Sequence, residues 1–102
     1  MDRVSERLSP TIYNVTLTNA DAEYSQVLSK DCRAFTFQCR TAVEVRFAFV
    51  IGKVAAPTAP YATMKAGATF GSPEKFSAEP NGLTLYLASG TAGAVVEIVE
   101  YV

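Results

Sequence analysis

Apolar and polar residues alternate every second position through much of the chain. In Arg33–Val50, Phe35, Phe37 and Cys39 alternate with Thr36, Gln38 and Arg40. After a polar break, Val43, Val45, Phe47 and Phe49 alternate with Glu44, Arg46 and Ala48. A period of two puts each apolar set on one face of a strand, so this stretch predicts a hairpin with one buried face. The same period marks Thr11–Leu17, where Tyr13, Val15 and Leu17 share a face opposite Ile12. It also marks Leu83–Ala88, where Leu83, Leu85 and Leu87 oppose Thr84 and Tyr86. Tyr24–Leu28, Tyr61–Lys65 and Ala94–Val102 read as further strands. In the last of these, Glu97 and Glu100 are spaced so that strict alternation turns one of them inward. A β-bulge near Ile98 or Val99 is expected to return both to solvent.

Turn chemistry separates these segments. Thr18–Asp21 and Ser29–Asp31 are rich in residues that bond their own backbone, and Asn81-Gly82 opens directly into a strand. Pro57 and Pro60 make Ile51–Pro60 an extended connection or an edge segment. Gly67–Pro80 reads as a long loop pinned to the body by Phe70 and Phe76. Residues 1–10 form an N-terminal arm in which Val4 and Leu8 suit one helical turn cut short by Pro10. The arm is read either as a frayed terminus or as a segment that orders against a neighbouring subunit. Residues 11–102 make one all-β domain, an antiparallel β-sandwich or jelly-roll-like barrel of about seven short strands.

The length of 102 residues suits a single core. Nine basic and ten acidic residues give a net charge of −1, which supplies neither the basic stripe that nucleic acid needs nor a patch for anionic lipid. No apolar run is long enough to span a membrane. Met1-Asp2-Arg3 opens a charged segment without an apolar core, so no export signal is expected. No nucleic-acid or membrane partner is therefore expected. On a shared strand Cys32 and Cys39 would lie too far apart for a bridge. Cys39 then reads as a buried thiol and Cys32 as a turn thiol, through which an intermolecular bridge stays open.

Histidine is absent, which removes the commonest general base, the nucleophile pairs built on it, and histidine zinc sites. Gly67–Ser72 lacks the lysine and the spacing of a phosphate loop. Asp21 and Glu23 share a turn, as candidates for Ca²⁺ binding or acid–base work, or as ordinary solvation. Glu44 and Arg46 fall on the polar face of the expected hairpin, opposite Gln38 and Arg40, which suits cross-strand pairing or a subunit contact. The five tyrosines read as half-buried strand residues or as a sugar-stacking platform. No catalytic, cofactor-binding or metal-ligating residue is assigned, and no cofactor is expected. Arg40, Glu44, Arg46, Val4 and Leu8 are the candidate interface residues.

The segments Ala22–Leu28, Phe35–Arg40 and Val45–Phe49, with Leu85–Ile98, resemble a pattern found in small structural virion proteins of tailed bacteriophages. The resemblance runs from about Thr11 to the C-terminus and rests on strand-and-turn patterns; the arm lies outside it. It implies a small β-sandwich with a non-enzymatic role, foremost as a capsid decoration or cement protein on the virion surface, made in the host cytoplasm. Its implied partners are copies of itself, with a homotrimer suited to local three-fold sites, and the major capsid protein. A head–tail or tail-associated position is the nearest alternative. A carbohydrate-binding module on the virion surface is another.

Overall fold

The computed structural model describes residues 9–72 and 82–102. Its eight strands are β1 (Pro10–Leu17), β2 (Tyr24–Leu28), β3 (Ala34–Cys39), β4 (Val45–Ala48), β5 (Ala62–Met64), β6 (Thr69–Gly71), β7 (Leu83–Ala88) and β8 (Ala94–Tyr101). They form two four-stranded antiparallel sheets, ordered β1-β8-β3-β6 and β2-β7-β4-β5. The first strand pairs with the last, β2 with β7, β3 with β6 and β4 with β5. The chain is thus one long hairpin rolled up on itself, closed by β3–β8 and β4–β7 contacts. That is the eight-stranded jelly-roll form of the β-sandwich.

The expected hairpin between Arg33 and Val50 does not form. β3 and β4 belong to different sheets and face each other across the core. Their apolar rows are the reason the sequence misleads: two consecutive amphipathic strands look alike whether they pair edge to edge or stack face to face. Phe37 of β3 and Phe70 of β6 meet Phe47 of β4 from the opposite sheet, and Phe35 of β3 packs against Phe37 and Phe70. Ring centroids lie 4.8 Å apart for Phe47–Phe70 and 5.0 Å for Phe37–Phe47. Leu17, Leu28, Val45, Leu85, Leu87, Val96 and Ile98 are fully buried around them. Phe49 lies just beyond β4 and is 43% exposed, although its edge still touches Phe35 and Phe47.

Three further expectations are corrected. Thr69–Gly71, placed in a loop, forms β6, and the inward Phe70 pairs with Phe37; Phe76 lies outside the described residues. The sheet begins before Thr11, because Ser9 and Val102 exchange backbone hydrogen bonds and Pro10 opens β1. Proline is tolerated there as the first residue of an edge strand. No bulge interrupts β8: its register runs residue for residue from Pro10↔Tyr101 to Leu17↔Ala94, and against β3 from Ala34↔Tyr101 to Cys39↔Val96. Alternation is kept, and Glu100 points into the core at 1% exposure.

Candidate functional site

Of the five candidate interface residues, Val4 and Leu8 lie outside the described residues. Arg40 follows β3 on the outer face of the first sheet, where its Nε–H donates to Glu97 Oε2 at 2.7 Å. Its Nη2 reaches Asn14 Oδ1 at 3.4 Å. Arg46 is on the outer face of the second sheet, so Arg40 and Arg46 look out from opposite sides of the sandwich. No cross-strand pairing joins them, because their strands do not pair.

Arg46 is largely committed to holding the fold. It donates from Nε to the Val54 carbonyl at 2.8 Å, and from Nη2 to Ala55 O at 3.4 Å and Asp21 Oδ1 at 2.8 Å. These bonds lay the segment after β4 across the sheet and seat Val54, fully buried, against Ala48, Ala88 and Tyr86. Asp21 occupies a left-handed turn position at φ 54°, which aspartate tolerates. Glu23 accepts from the Gly52 N–H. The Asp21–Glu23 pair is thereby engaged in anchoring this same segment.

A cleft of about 620 Å³ lies beside it, lined by Glu44, Arg46, Tyr61, Thr63, Ser89 and Thr91, among others. Arg46 and Thr63 are paired across β4 and β5 on the outer face. The buried Ser89 hydroxyl donates to Glu44 O at 2.8 Å and accepts from the Thr91 N–H at 3.1 Å, fixing the β7–β8 turn as one wall. Glu44 meets Lys65 at 3.6 Å, both well exposed. A second hollow, lined by Phe47, Phe49, Val50, Pro60 and Tyr61, adjoins it, and Tyr61 lines both. Sequence reading found Glu44 and Arg46 but missed the walls, which come from segments far apart in the chain.

The buried Glu100 is the other notable group. Tyr13 O–H donates to its Oε1 at 2.6 Å and Ser29 N–H donates to its Oε2. The hydrogen bond to Glu100 and burial push the Tyr13 phenol up to about 12. Cys32 is buried nearby, not a surface turn thiol, so the intermolecular bridge considered for it has no accessible sulfur. Burial, and then the neighbouring Glu100, raise its thiol above the ordinary value. Cys39 lies on the inward side of β3, as the alternation predicts, but is half-buried against the core rather than enclosed in it, and both thiols are free. No buried side-chain nitrogen or oxygen among the described residues lacks a hydrogen-bond partner.

Among the described residues no group of three or more acidic, cysteine or histidine side chains is placed to hold a metal ion. No helix there is long and apolar enough to cross a membrane. Comparison with known proteins finds no matching family model, no matching characterised protein and no matching solved structure.

Proposed function

We propose that the protein is a non-enzymatic structural component of a tailed-phage virion, acting as a decoration protein that binds the capsid surface as a homo-oligomer, a homotrimer in the first instance. The strand-and-turn resemblance motivates the role. The observation that carries it in the structure is the run Phe49-Val50-Ile51, exposed by 43%, 53% and 68%. Three consecutive large apolar side chains held in solvent by a small domain suit burial in an assembly. Phe49 is braced from behind by Phe35 and Phe47, so the patch is presented on a firm base.

Mass spectrometry of purified phage particles tests the role, and the expected result is this chain in stoichiometric amount in mature heads. Its absence from heads and presence in tail fractions would favour the tail-associated alternative; absence from both would end the proposal. Ile51→Lys is expected to abolish rebinding of the purified protein to stripped capsids while leaving its fold intact.

A further inference from the structure

We propose that the cleft between the β4–β5 connection and the β7–β8 turn binds a neutral saccharide, with Tyr61 as its stacking wall. The volume of about 620 Å³ falls within the range of roughly 300–1,000 Å³ typical of small-molecule sites. The lining decides the ligand class. Arg46, the obvious anchor for a phosphate or carboxylate, already donates to Asp21, Val54 O and Ala55 O. Glu44, the obvious anchor for a cation, is countered by Lys65. A strongly charged ligand therefore finds no large uncompensated opposite charge.

The cleft does offer uncommitted neutral groups. The Tyr61 phenol and the Thr63 and Thr91 hydroxyls have no hydrogen-bond partner among the described residues, and each both donates and accepts. Sugar hydroxyls have the same double character, and the Glu44 carboxylate accepts from them without needing a cation. The C–H bonds on one face of a pyranose carry slight positive charge and pack on the negative face of an aromatic ring. Tyr61 is 40% exposed and stands between this polar cleft and the apolar hollow beside it. That hollow suits a methyl or N-acetyl substituent. Binding here is a property of the isolated chain, so it stands or falls independently of the virion role.

Saturation-transfer NMR on the full chain tests this with methyl glycosides of glucose, galactose, rhamnose and N-acetylglucosamine, and with glucuronate as a charged comparison. Transfer to at least one neutral glycoside is expected, with affinity weakened at least about tenfold by Tyr61→Ala and by Thr63→Val. Arg40→Ala, on the opposite face, is expected to change nothing. Unchanged amide spectra show that the variants fold. Silence from every neutral glycoside, binding that survives Tyr61→Ala, or a preference for glucuronate would each overturn the proposal.

Discussion

Glu97 and Glu100 sit on one strand and live in opposite media. Glu97 faces outward, where Gln38 Nε2 donates to it at 3.0 Å and Arg40 pairs with it at 2.7 Å. Glu100 faces inward at 1% exposure, and its two hydrogen-bond donors are a phenol and a backbone N–H, neither of them a cation. A surface ion pair exchanges one good solvation for another and gains little. A buried carboxylate has lost its water, so each remaining donor matters. The prominent salt bridge is thus the weaker element, and the uncharged contacts of Glu100 the stronger.

The largest expected effect follows from removing the inner carboxylate. Glu100→Ala removes the partner of two half-buried donors, the Tyr13 hydroxyl and the Ser29 N–H, and empties a fully buried site, so it should cost about 3 kcal/mol, out of a total of roughly 5–15 for a domain. Chemical denaturation measures it. Glu100→Gln keeps an acceptor for Ser29 and a donor toward the phenol oxygen, so it should lose distinctly less. Equal losses would mean that charge, not satisfaction of the donors, is what the site needs. Tyr13→Phe removes one hydrogen bond to a carboxylate and is expected to cost about 1.5–3 kcal/mol in the same assay.

The alkaline limb gives a further test. The folded chain holds the Tyr13 proton with a pKa of about 12, against 10.0 ordinarily. The folded state therefore binds that proton more tightly than the unfolded state. The resulting stability is complete below pH 10 and drains away as the pH rises toward 12. Thermal melts across that window should fall more steeply for the native chain than for Tyr13→Phe.

On the outer face the effects are the smallest. Gln38 first, and then Arg40, hold Glu97 below the usual carboxylate range. Its contribution is present above the unfolded pKa and is lost as the pH falls through the lowered folded value. Arg40→Ala should flatten that acid dependence while moving the neutral-pH melting temperature less than any change made at Glu100 or Tyr13.

The same two residues show how far the sequence could be read. Alternation along β8 already turned one of its two acids inward, without saying which. The expected bulge came from the general rule that acids avoid cores, and the rule yields here because Tyr13 and Ser29 supply donors from 87 and 71 residues away. Nothing local announces such partners. Strand positions were legible for β1, β2 and β7, and faces for β1 and β7, because period-two patterning is local, whereas the partner of each strand is not. That is why the β3–β4 stretch read as a hairpin. Thr69–Gly71 is too short to display a period at all. Of the cleft, Glu44 and Arg46 stood out as charges on a strand pattern, but Thr63 and Thr91 are ordinary strand and turn residues until the roll brings them together. Tyr61, directly after Pro60, was legible only as one tyrosine among five.

The pairing of first strand with last also sets a timetable for biosynthesis. A ribosome delivers β1 early, yet its ladder partner Ala94–Tyr101 is made after the seven other strands described. The central position of the first sheet stays empty until then, since β8 also flanks β3. Pairings between such distant segments close slowly, on the order of milliseconds to seconds in domains of this kind. The nascent chain must carry β1 without its ladder partner until β8 emerges, and a stop before Ala94 would leave β1 unpaired and β3 with β6 alone. Quality control is thus written into the topology: a chain that stops before β8 cannot complete the first sheet.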